Sequence, residues 1–330
     1  MLAPAVGRLR SANSAEQCRV LTNAVDACLL ACIRATDREP IHLSQDPLSA
    51  PTVIGAGAHR APETRPGNSD RGTPVNIVTL KWGARYGPVF VNRLYRAIER
   101  HLSRPFRFLC FTDDEAGLLP EIETHPLPAL DLPERFARTT WLKLGLFADG
   151  LAGMEGDCLF LDLDLLIVDC IDCFFDYAPG NRCIIHNWTL RHQIFKKRPD
   201  VGNSSVFRWR AGTTQFVVDD FLREKDRLLQ HYGFRSPQRY LTVGIGERRW
   251  WPEAWVQSFK RHSVPAFPLN LVAAPRLPTG ARILVFHGRP DPDQALNGWQ
   301  QGKLHRRTRP APWIADHWHD GPDETRPGRA

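Results

Sequence analysis

Asp162 and Asp164 stand two positions apart in Leu159-Phe160-Leu161-Asp162-Leu163-Asp164-Leu165-Leu166-Ile167-Val168, an otherwise apolar run. Residues i and i+2 of a strand share a face, so the two carboxylates project together. Two convergent carboxylates suit a divalent cation carrying a phosphate-bearing ligand. A strand this apolar is expected to be buried on both faces, as in a parallel sheet. An unpaired buried carboxylate is costly, so the pair is expected near the strand end with a cation to meet.

Three other segments carry compatible chemistry. Val285-Phe286-His287-Gly288-Arg289-Pro290 reads as a strand running out into a loop. The imidazole of His287 is a natural third ligand for a manganese-like ion. Gly288 permits close backbone approach to a phosphate, and Arg289 can neutralise it. Lys143, in Thr140-Trp141-Leu142-Lys143-Leu144, falls on a segment read as a helix over 139–148 that packs beside the Asp strand. A cation there can hold a diphosphate or a donor hydroxyl. Gly202-Asn203-Ser204-Ser205-Val206-Phe207 opens a strand with amide and hydroxyl groups suited to sugar hydroxyls, or to turn chemistry. Trp250, Trp251 and Trp255 offer either a stacking platform for sugars or core aromatics.

The elements that must position these groups follow a βαβ rhythm. Strands are expected at 75–80, 107–112, 121–126, 182–187, 203–209 and 282–286, with helices at 88–102 and 212–230. This alternation predicts an α/β fold with an open, mostly parallel sheet flanked by helices and ligands at the carboxyl ends of strands. Residues 1–73 read as an N-terminal helix (15–35) followed by a Pro/Gly/Arg-rich extension. The main domain is expected over 74–301, and residues 302–330 form an Arg/Pro-rich tail that wraps the surface or frays.

The chain of 330 residues is 42% hydrophobic, enough for a substantial core. No stretch has the length of a membrane span, and no secretory signal is evident. The expectation is a cytoplasmic protein. A net charge of +7 favours anionic substrates and peripheral contact with an anionic membrane face. No basic stripe with interleaved aromatics points to nucleic acid. Cys170 and Cys173 are spaced C-x-x-C, but no second pair completes a zinc set.

Taken in order, the first strand with Thr79, Lys81 and Tyr86, then W-x-K-L, L-F-L-D-L-D, G-N-S-S-V-F and F-H-G-R-P resemble nucleotide-sugar glycosyltransferases of the GT-A fold. The similarity is strongest to family 8 and related bacterial proteins, and spans roughly residues 74–300. It implies a GT-A type, Rossmann-like sheet and transfer of a sugar, usually from a UDP-sugar, to a glycan, lipid or other hydroxyl acceptor. Asp164 and His287 would bind Mn2+ or Mg2+, with Asp162 on the metal or the donor ribose. Thr79, Lys81 and Tyr86 would hold the nucleotide, Gly288 and Arg289 the diphosphate, and Lys143 the diphosphate or the donor sugar. Asn203 and Ser204 would line the sugar or acceptor pocket, and the resemblance favours retention at the anomeric carbon. Two departures stand out. Ser205 replaces the family's Gly, and residues 241–249 lack the acidic–Gln pair, leaving Glu247 as a substitute. That absence supports a second reading, a catalytically silent nucleotide- or glycan-binding relative. A third is a phosphohydrolase of the haloacid-dehalogenase type with Asp162 as nucleophile. That fold places its D-x-D strand at the start of the domain, whereas here a βαβ region precedes it.

Overall fold

A computed structural model describes residues 73–188, 200–234 and 237–321, all within the unit that begins at Arg65. The expected helix at 15–35 lies outside the described residues.

A seven-stranded sheet forms the centre, in the order β3-β2-β1-β4-β7-β6-β8. Its strands are β1 (Val75–Lys81), β2 (Phe106–Thr112), β3 (Glu123–His125), β4 (Asp157–Leu161), β6 (Cys183–His186), β7 (Gly202–Arg210) and β8 (Arg249–Trp250). Parallel pairing joins β3, β2, β1 and β4, while β7 runs antiparallel to both β4 and β6. A separate three-stranded sheet comprises β5 (Leu165–Ile167), β9 (Val256–Ser258) and β10 (Ile283–Val285).

Strand periodicity explains why the central strands are apolar throughout. In β1 and β4, Val75, Ile77, Leu159 and Leu161 enter one core with α1 (Pro88–His101), through Val91, Leu94, Tyr95 and Ile98. The alternate residues Val78, Leu80, Cys158 and Phe160 enter a second core. That core is completed by a 3-10 helix (Thr140–Phe147) and by α2 (Gln215–Arg223), α3 (Lys225–Tyr232) and α4 (Pro237–Gly244). Both faces are therefore covered, as a parallel sheet requires.

The structure corrects several expectations. The apolar run 159–168 is not one strand: β4 ends at Leu161 and β5 begins at Leu165 in the other sheet. Asp162 donates its amide to Ser205 O at 3.0 Å, and Asp164 O accepts from Phe286 N at 2.9 Å. The chain thus changes sheet between these two residues. The segment carrying Lys143 is 3-10 rather than α-helical, capped by Thr139, whose hydroxyl accepts from Trp141 N at 3.4 Å. The helix expected at 212–230 is two helices meeting at Glu224. Residues 302–321 contribute to the core: Ala311, Ile314 and Trp318 are buried against Phe259, Leu284 and Phe286. No described helix is long and apolar enough to cross a membrane.

Candidate functional site

In an open sheet, ligands bind where neighbouring strands connect in opposite directions, at their carboxyl ends. Here that place lies between β1, which connects onward to β2, and β4 on its other side. A cavity of about 370 Å³ opens there. The end of β1 supplies Leu80, Trp82, Arg85 and Tyr86, and the end of β4 supplies Asp162, Leu163 and Asp164. Because β7 is antiparallel to β4, its first residues, Asn203–Ser205, reach the same end. Lys143, Thr140, Gln238, His287 and Gly288 complete the lining.

Asp162 and Asp164 have different electrostatic surroundings. Lys143 Nζ donates to Asp162 Oδ1 at 2.7 Å and Oδ2 at 2.9 Å, to Ser204 O at 2.9 Å and to Ser204 Oγ at 3.3 Å. Its ammonium also lies 4.6 Å from the Phe160 ring centroid. Asp162 thus has its own cation. Asp164 is buried, and its Oδ2 accepts from Tyr86 Oη at 3.2 Å. Burial, reinforced by the charge of Asp162, pushes its carboxyl up to about 6, against the pull of Lys143 and of a Gly288 backbone hydrogen bond. The Tyr86 hydroxyl is itself raised by burial and by Asp164, so it stays protonated and donates.

His287 turns the chain sharply at the end of β10, with φ 23°, and Gly288 follows at φ 80°. The imidazole stacks on Trp188 at 5.5 Å, and its Nε2 lies 2.7 Å from Ser258 Oγ. Burial, then Lys260 and Arg261, hold it down at about 4, so it is neutral. Lys260 Nζ donates to His287 O at 2.9 Å.

These surroundings bear on the metal that the sequence suggests. Asp164 offers hard oxygen donors that the protein leaves under-neutralised, which fits a divalent cation. Asp162 lines the same cavity but is held by Lys143. His287 lines it with Nε2 engaged by Ser258 and with cations around it. Among the described residues no three His, Cys, Asp or Glu side chains gather closely enough to hold a metal.

Of the other sequence candidates, Tyr86, Lys143, Asn203, Ser204 and Gly288 line the cavity. Thr79 and Lys81 do not. Thr79 is buried, with Oγ1 donating to Leu161 O at 2.8 Å, and Lys81 Nζ is tied to Asp114 O at 2.6 Å. Arg289 lines the neighbouring cavity instead. Trp251 packs edge-on against Phe174 and donates to Val206 O, and Trp255 packs on Phe174 and Tyr177, as core aromatics do. Trp250 stacks on His186. Glu247 is exposed and outside the cavity lining. The sequence reading missed Gln238, whose Oε1 accepts from Ser204 N at 3.4 Å, and Arg85 and Trp82 in the loop after β1. Gln238 lies in the first turn of α4, only three residues before the 241–249 stretch that lacks an acidic–Gln pair.

The cavity therefore joins one under-neutralised carboxylate, a carboxylate–lysine pair, amide and hydroxyl groups, and aromatic walls from Trp82 and Tyr86. Such a set can grip a hydroxyl-rich ligand that bears an anionic group through a cation. No known family model and no curated protein matches the chain. Among solved structures, the chain is similar to an active-site mutant of LgtC at 15% identity, covering 66% of this chain and 89% of that one, with a TM-score of 0.46. It is also similar to the galactosyltransferase LgtC in complex with donor and acceptor sugar analogues. That match has 16% identity, covers 70% of this chain and 91% of that one, and has a TM-score of 0.46.

Proposed function

We propose that the chain is a glycosyltransferase of the GT-A type that takes a sugar from a nucleotide-diphosphate sugar. The observation that carries this reading is the convergence of Asp162, Asp164, Lys143, Asn203, Ser204 and Gly288 on one cavity at the β1–β4 crevice. These residues come from four separate parts of the chain, and their chemistries suit a metal, a diphosphate and sugar hydroxyls in turn.

In this reading a divalent cation, held by Asp164 with Asp162, would neutralise charge growing on the leaving diphosphate. Tyr86 orients Asp164 through its hydrogen bond. Lys143 fixes the Asp162 carboxylate and the Ser204 carbonyl, setting the floor of the sugar pocket. Asn203, whose Oδ1 accepts from Ser205 N at 2.9 Å, and Gln238 present amides toward donor or acceptor hydroxyls. Trp82 and Tyr86 form the wall against which a base can stack. The protein's main contributions are positioning and electrostatic stabilisation of the leaving group.

The test is a thermal-shift screen of nucleoside diphosphates and their sugars, with and without manganese. Ligand that binds only the folded state raises stability by RT ln(1 + [L]/Kd). Manganese-dependent stabilisation by a nucleotide sugar, lost in Asp164→Asn, is expected. Equal shifts in the wild type and Asp164→Asn, or none from any nucleotide, would reject the reading.

A further inference from the structure

Behind the His287–Arg289 turn lies a second, larger cavity of about 690 Å³ that no step above uses. It touches the first at Gly288, which lines both. Its charged lining is wholly cationic: Lys260, Arg289 and Arg306, with His305 beside them and no Asp or Glu. We propose that this cavity is a binding site for a phosphate- or diphosphate-bearing ligand, with Lys260, Arg289 and Arg306 as its anion-holding groups and Trp299 as its apolar wall.

The frame is built rather than incidental. Trp299 and Thr308 pair as an isolated antiparallel bridge, Trp299 N donating to Thr308 O at 3.0 Å and Thr308 N to Trp299 O at 2.8 Å. The loop between them carries His305 and Arg306 on a short 3-10 turn (Leu304–Arg306). Buried Asn270 holds that turn, donating through Nδ2 to Leu304 O at 2.9 Å and Arg307 O at 2.8 Å. On the opposite side, Arg289 lies over the Trp299 ring at 5.8 Å. Two separate stretches of chain are thus fixed so that their cations face one space.

Those cations also lack the carboxylate partner that some arginines elsewhere in this structure have. Arg107 pairs with Glu123 and Arg248 with Asp200. Among the described residues, Lys260, Arg289 and Arg306 form no ion pair within bonding distance. Like charges that share one cavity repel, and a bound anion relieves them. Guanidinium forks with a lysine point charge match phosphate oxygens, and a tryptophan wall suits the organic part of the same molecule.

The phosphate has two chemically equivalent sources. It belongs either to the nucleotide in the first cavity, reaching across Gly288, or to a separate phosphorylated molecule. Inorganic pyrophosphate is the probe, titrated calorimetrically into the full chain at low salt. Saturable binding is expected, weakened about tenfold or more in Arg289→Gln/Arg306→Gln. Both arginines are exposed, so the double variant should fold, and its melting temperature checks this. Lys260→Gln, half-buried, should weaken binding in the same direction. Pyrophosphate binding that is absent, or unchanged in the double variant, overturns the proposal. Repeating the titration with the first cavity saturated by UDP separates the sources: competition assigns the site to the nucleotide's own diphosphate, and simultaneous binding to a second molecule. The UDP competition rests on the sugar-transfer reading, whereas pyrophosphate binding itself does not. Pyrophosphate binding retained in a chain that binds no nucleotide would overturn that reading alone.

Discussion

Asp164→Asn should stabilise the metal-free protein while removing its capacity to hold a nucleotide sugar. Burial raises the Asp164 carboxyl from 3.8 to about 6 in the folded chain. That difference of about two pKa units corresponds to about 3 kcal/mol of folding free energy lost on ionisation. Because the folded-state value lies above the unfolded one, the folded chain holds the proton more tightly. The cost is complete above about pH 6, shrinks as pH falls and is gone below 3.8. Asparagine is neutral at every pH, so it avoids this cost. It has one acceptor oxygen for Tyr86 and the Gly288 backbone where the carboxylate has two, a loss of about 1 kcal/mol. The net expectation at pH 7.5 is a gain of about 2 kcal/mol, or roughly 4–6 °C in melting temperature. Calorimetric melting of both proteins in EDTA, at pH 7.5 and pH 4, measures it. At pH 4 the advantage should vanish or reverse. A variant that melts lower at pH 7.5, or whose difference from wild type is independent of pH, would refute the argument that Asp164 is an under-neutralised buried charge.

Lys143→Met removes the cation of Asp162. Breaking a buried pair while leaving one charge costs about 3–5 kcal/mol, and the low end applies because the Asp162 side chain is 25% exposed. Adding Asp162→Asn should recover at least half of that loss in urea unfolding, a positive coupling in the double-mutant cycle. Gly202→Ala should cost about 1–3 kcal/mol by overpacking. Its new Cβ would lie 2.7 Å from Ile184 Cδ1 and 2.9 Å from Thr242 Oγ1. Combining it with Ile184→Val, which deletes that Cδ1, should restore part of the stability, and unchanged urea midpoints would contradict the packing argument.

The central strands were legible because both faces are buried, which writes an unbroken apolar run into the sequence. The same property hid the break at Asp162–Asp164. Leu163 stays 3% exposed, packed in the core shared with α1, so the run continues apolar across a change of sheet. The join between α2 and α3 at Glu224 carries no Gly or Pro and so leaves no mark in the pattern. The burial of the tail is hidden for a related reason. Arg and Pro dominate its composition, while the burial rests on isolated residues, Ala311, Ile314 and Trp318.

In the site, residue types were readable but their partners were not. The spacing of Asp162 and Asp164 marks them as a pair, whereas Asn203 and Gly288 join them only through the resemblance of the ordered motifs. What distinguishes the two carboxylates comes from Lys143 and Tyr86, which are 19 and 78 positions away from their respective partners. No local pattern can encode that one aspartate has a lysine and the other a phenol and a backbone amide. Nor can it encode that Arg289, one residue past Gly288, turns away into a different cavity with Arg306. The sharp turn at His287 makes that division, because it directs Gly288 to both cavities and the side chain of Arg289 to only one. A single loop therefore sets the carboxylate side of the site apart from its cationic side. This separation is why variants at Asp164 and at Arg306 can be tested one without the other.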